Sequence, residues 1–165
     1  MIKNMRTLFL LIAVVLFSFS VSAQMSHDKW DELLQNYVDE QGLVDYAGLK
    51  KAEGRLDAYL QQLQSEAPTD SWSREERMAY WINAYNAYTV KLILKHFPVG
   101  SIRDIHNGNP WEVQWIPVGS RTFSLNQIEH DILRKQFDEP AIHFAVNCAA
   151  RSCPPLHHRA WTAEN

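Results

Sequence analysis

Residues 73–96 constrain this chain more than any other stretch. Ser73 and Glu76 form an S-x-x-E capping box, in which each side chain satisfies a free backbone N–H at a helix start. The pattern predicts a helix from there to about His96, ended by Pro98. Met78, Ile82, Tyr85, Thr89, Leu92 and Ile93 make one stripe, and Trp81, Ala84 and Tyr88 widen it. A surface this broad requires packing on more than one side. The helix is therefore expected to be the central element of the fold.

The remaining elements arrange themselves around it. Ser26 to Glu40 has Trp30, Leu33, Leu34, Tyr37 and Val38 on one helical face, with Gly42 as a stop. Val44 to Leu49 is expected to be irregular. Arg55 to Gln64 is expected to be a second helix, with Leu56, Leu60 and Leu63 inward. Ser101 to Ile105 has the length of one helical turn. Trp111, Val113 and Trp115 alternate with Glu112 and Gln114, which predicts a strand. Gly119-Ser120 would turn it back into Arg121 to Phe123. Ser124 and Gln127 form a second capping box, starting a helix from Leu125 to Lys135. Ala141 to Cys148 is expected to be a buried strand. Helices first and a hairpin later define an α+β fold, the long central helix packed on a small antiparallel sheet.

Lys3 and Arg6 precede an apolar run from Leu8 to Phe19, and Val21-Ser22-Ala23 closes it with small residues. This is the pattern of a secretory signal peptide cut after Ala23. The run is about 12 residues, short of the roughly 20 that span a bilayer. The organisation expected is residues 1–23 as leader, 24–70 as an N-terminal helical region and 71–165 as the main α+β domain. The location expected is periplasmic or secreted, with no stable membrane span after cleavage. Thr162-Ala-Glu-Asn has the form of an N-cap with an acidic first turn, so a helix is expected to continue in a longer protein.

The formal charge is -3, from 16 Lys and Arg against 19 Asp and Glu. Cleavage would remove two cations and leave the chain more acidic. That excludes a nucleic-acid binder, which needs many phosphate-neutralising cations. With 46% hydrophobic and 21% charged residues, the chain is an ordinary globular sequence. No phosphate-loop, dinucleotide, zincin or nucleophile-elbow motif is present. No cofactor is implied.

Several residues could carry chemistry. Cys148 and Cys153 are spaced C-x4-C. They are a local disulfide, a pair of buried thiols, or a nucleophile that needs a neighbouring imidazole or helix N-terminus to form its thiolate. His143 interrupts the apolar run 141–146, as a satisfied core group or as a general base. On a continuous strand, residues 143 and 148 point to opposite faces, so direct pairing requires a turn before Cys148. Glu129 lies beside an apolar face, adjacent to His130. Arg134 is one turn plus one residue further on, which points to a partner for Glu129 elsewhere; the alternative is a partly exposed ion pair. Asn83 and Asn86 lie inside the central helix, where Asn is a poor helix former. They are expected to pin a loop or contact a ligand. His157-His158 after the cysteines fits no common zinc spacing, so no metal is assigned.

Six stretches together carry a family resemblance: YWINAYNAYTV from Tyr80 to Val90, SIRDI from Ser101, Pro110-Trp111, SLNQIEH from Ser124, Ile132-Leu-Arg134, and Ile142-His-Phe-Ala145 through Cys148 to Leu156. The chain resembles, from about Glu75 to Asn165, the family catalogued as domain of unknown function 547. The resemblance implies an exported bacterial protein and a papain-like or transglutaminase-like scaffold. In such scaffolds the nucleophilic Cys starts the central helix, where the helix dipole lowers its pKa. The central helix here has no Cys. Two functions are therefore expected. One is a thiol-dependent hydrolase or transferase acting on an amide, peptide or thiol-containing substrate. Cys148 would be its nucleophile, with Cys153 as substitute. His143 or His130 would be the base, oriented by Glu129, and Asn83 or a backbone N–H would hold the oxyanion. The other is a non-catalytic module that binds a small molecule or peptide between helix and sheet, with Asn83, Asn86, Cys153 and Arg134 as further candidate contacts.

Overall fold

The computed structural model describes residues 25–150 and 152–165. The leader expected over residues 1–23 lies outside them. Helix α1, Asp28–Tyr37, buries Trp30, Leu33 and Leu34. It ends before the expected Glu40, because the chain turns and Val38 bridges Val44. Gly42 makes that turn at φ +77, and a Cβ there would meet the backbone N of Leu156 at 2.9 Å. A glycine is required on both counts. Most of the stretch Val44 to Leu49, expected to be irregular, falls in α2, Tyr46–Lys51, because the Asp45 side chain accepts from the Gly48 N–H and caps it. Helix α3, Glu53–Ser65, turns Leu56, Tyr59, Leu60 and Leu63 inward.

Helix α4, Arg74–Lys95, starts with both reciprocal bonds of the capping box in place. Every residue from Ala79 to Leu94 is buried, so the helix is enclosed as its broad apolar surface requires. Lys91 is buried too. Its Nζ lies 2.7 Å from Glu53 and 2.5 Å from Asp57, which ties α3 to α4. Two single 3₁₀ turns follow, Ile102–Asp104 and His106–Gly108.

The hairpin is β1, Ile116–Val118, paired antiparallel with β2, Arg121–Phe123. Ile116 faces Phe123 and Val118 faces Arg121 across the Gly119-Ser120 turn. Gly119 has φ +56, the positive first position of a type II′ turn. The strand expected at Trp111–Trp115 is not formed. Only the Trp115 N–H joins the ladder, donating to the Phe123 carbonyl at 3.1 Å. The preceding residues are held from another direction: the Asn126 N–H donates to the Trp111 carbonyl, and its side chain bonds Glu112.

The second capping box is also closed, with Ser124 and Gln127 bonded reciprocally at 2.9 and 3.1 Å. The helix it starts is not uniform. Gln127–Leu133 winds as a π-helix and then continues as α5, Arg134–Phe137. The strand expected over Ala141–Cys148 is instead the short helix α6, Ile142–Ala145, followed by extended backbone at Val146. Ile142 and Ala145 are buried while His143 and Phe144 face solvent, which is helical spacing. The Glu139 side chain accepts from the Ala141 N–H and begins the turn. One continuous core runs from Met25 to Ala160. The fold is α+β.

His27 supplies a pH test of this core. It is 7% exposed, and its Nδ1 lies 2.7 Å from the Tyr59 hydroxyl. The ring and the Tyr59 hydroxyl share this one buried hydrogen bond. Burial pushes the His27 pKa from 6.5 down to about 4, against the pull of Asp28. The unfolded chain therefore takes up a proton first as pH falls, and stability held above pH 6.5 is lost toward pH 4. Urea unfolding should show about 2 kcal/mol lost to this group between pH 8 and pH 5. His27→Gln should remove that share of the pH dependence. An unchanged slope would contradict the assignment.

Candidate functional site

The two asparagines of α4 are both committed to the C-terminal segment. Asn83 Nδ2 donates to the Trp161 carbonyl at 2.7 Å, and its Oδ1 accepts from the Trp161 N–H at 3.0 Å. Asn86 Nδ2 donates to the Ala145 carbonyl at 2.9 Å, and its Oδ1 accepts from the Asn147 N–H at 2.8 Å. Each amide thus acts as a strand neighbour for a piece of chain that has none. Each side chain is buried, with one N–H and its oxygen committed to the backbone of the C-terminal segment. Asn147 extends the arrangement: its Nδ2 donates to the Pro154 carbonyl at 2.7 Å and its Oδ1 accepts from the Ala149 N–H at 3.0 Å.

That loop carries the cysteines. Cys148 and Cys153 are joined by a disulfide, with Cα atoms 5.9 Å apart. In this state neither sulfur is a thiolate.

Glu129 and Arg134 are partners, contrary to the sequence expectation. Arg134 Nη2 lies 2.8 Å from Glu129 Oε1. The reason is the π-helix. Its Arg134 N–H donates to the Glu129 carbonyl, so residues five apart stack one above the other. The Glu129 carboxylate also faces the Tyr85 hydroxyl. Burial first, and then this carboxylate, holds that hydroxyl far above the ordinary tyrosine range. Glu129 therefore orients no imidazole. His130 is exposed on the neighbouring face. His143 is exposed on α6 rather than set in a sheet, and it shares a small depression of about 180 Å³ with Arg134. Cys148 does not line that depression. Among the described residues no group of His, Cys, Asp and Glu could hold a metal ion.

A polar groove of about 420 Å³, which no sequence motif signals, lies between α4, the hairpin and the π-helix. Arg77 and Trp81 line it from α4, Arg121 and Phe123 from β2, and Gln127 and Asp131 from the π-helix. Trp81 meets Phe123 edge to face at 5.4 Å. The Arg121 guanidinium lies 4.6 Å above the Phe123 ring. The i, i+4 pair Arg77 and Trp81 was the available signal. The register of the hairpin against α4, which brings Arg121 to them, is not a local property of the sequence.

An α+β domain on an enclosed central helix, with its C-terminal segment held by two helix asparagines, is the frame these residues define. The model of the family described as Protein of unknown function, DUF547, matches residues 69–165, and the chain belongs to that family. No curated protein and no solved structure matches the chain significantly.

The asparagine pins are testable by stability. Asn86→Ala would leave the Asn147 N–H and the Ala145 carbonyl unpaired. It should cost about 2–4 kcal/mol in urea unfolding, since each buried orphan costs roughly 1–3 kcal/mol. A loss below about 0.5 kcal/mol would show that the bonds are replaced by water.

Proposed function

We propose that the protein is a non-catalytic binding module for a small molecule or peptide, exported, with its ligand seated in the groove between α4 and the hairpin. The observation that carries this reading is the Cys148–Cys153 disulfide. Thiol catalysis needs a thiolate, and the bond consumes both sulfurs. The leader-like residues 1–23 support delivery to an oxidising compartment, where such a bond persists. The proposed oxyanion and base groups support the same reading from another side. Asn83 is buried and bonded through one N–H and its oxygen to Trp161, and Glu129 is paired with Arg134 instead of an imidazole. Closing so short a loop contributes about 2 kcal/mol in the chain-entropy model, which is a structural role.

Thiol labelling of the mature protein purified from the periplasm tests the reading. Iodoacetamide followed by intact mass should add no label before reduction and two labels after it. Rapid labelling of Cys148 without reductant, slowing as pH falls, would overturn the proposal and restore the hydrolase reading. Failure to recover the protein from the periplasm would overturn the export proposal.

A further inference from the structure

Arg77 is the unusual residue of the groove. Its Nε is buried and has no hydrogen-bond partner among the described residues. Among the described residues neither Arg77 nor Arg121 forms an ion pair, although both line the same groove. A buried, unpaired N–H of a charged group is costly, and a guanidinium fork matches a carboxylate in shape and charge. The same groove contains two acids. Asp131 is already bonded to Lys135 at 2.6 Å. Asp70 has no cation partner among the described residues. Two open guanidiniums and one open carboxylate, over an aromatic wall of Trp81 and Phe123, suit a ligand carrying both charges. A polyanion such as phosphate offers nothing to Asp70 and is repelled by it. The volume of about 420 Å³ lies within the roughly 300–1,000 Å³ of small-ligand sites.

We propose that the groove binds a zwitterionic amino acid or dipeptide, its carboxylate between Arg77 and Arg121 and its ammonium toward Asp70. This rests on the binding-module reading and specifies the ligand class for the same groove.

The test uses the mature, oxidised protein. The probes are the free amino acids, a set of natural dipeptides, the matching C-terminal amides and inorganic phosphate, screened by thermal shift and followed by calorimetry. The expected result is binding of at least one free dipeptide or amino acid, with its amide at least tenfold weaker and phosphate inactive. Arg77→Gln and the exposed hairpin variant Arg121→Gln should each weaken that ligand at least tenfold. Arg55→Gln, on α3, should leave it unchanged. The second arginine variant keeps the test valid if Arg77→Gln does not fold. Equal binding of amide and free acid, or full affinity in Arg121→Gln, would overturn the inference and leave the binding-module reading standing. Binding of phosphate alone, or of no probe, would also overturn it. The broader reading falls separately, to thiol labelling without reductant.

Discussion

The structure depends on two side-chain amides inside one helix. Asn83 and Asn86 lie one turn apart on α4, are almost fully buried, and each offers one donor and one acceptor to the C-terminal chain. That chain has little regular structure of its own: α6 is four residues long, and the segment after it contains no helix or strand among the described residues. Its backbone groups must still be satisfied where they are buried. The asparagines do this at Ala145, Asn147 and Trp161, and so substitute for a sheet edge. Their low helix propensity is small beside four buried or part-buried hydrogen bonds, each worth roughly 0.5–1.5 kcal/mol net.

The rest of the C-terminal half follows from that anchorage. Asn86 places Asn147, Asn147 holds Pro154, and the disulfide closes the loop between them. The same turn of α4 carries Tyr85, whose hydroxyl faces Glu129 on the π-helix. The π-helix then brings Arg134 beneath Glu129. A regular helix would have placed these two residues about 140° apart. The wider turn therefore completes a partly exposed ion pair that α-geometry would leave open. The groove is bounded by the same π-helix, by α4 and by β2.

The local features are legible in the sequence and the non-local ones are not. Both capping boxes, the enclosed central helix and the Gly119-Ser120 turn are written in neighbouring residues, and all are present. Asn83 and Asn86 were legible as pins because a polar amide in a buried helix must find partners. The run Ala141–Val146 was not legible as a helix, since a short apolar stretch fits either period. Trp111–Trp115 alternates like a strand, yet its anchor is Asn126, fifteen positions from Trp111. The Glu129–Arg134 pair is disfavoured in the sequence only by assuming 3.6 residues per turn, and nothing local announces a π-helix. Arg77 and Arg121 come from different elements, and only the tertiary packing shows that they share a groove.

The central claim is that the helix asparagines carry the C-terminal chain as a sheet neighbour would. Residue-resolved amide hydrogen exchange of the native, oxidised protein tests it most directly. The Asn147 and Trp161 amides, each bonded to an asparagine oxygen, should exchange only through global unfolding, as slowly as the buried amides of α4. Exchange of these two at the rate of exposed loop amides, with α4 still protected, would contradict the account.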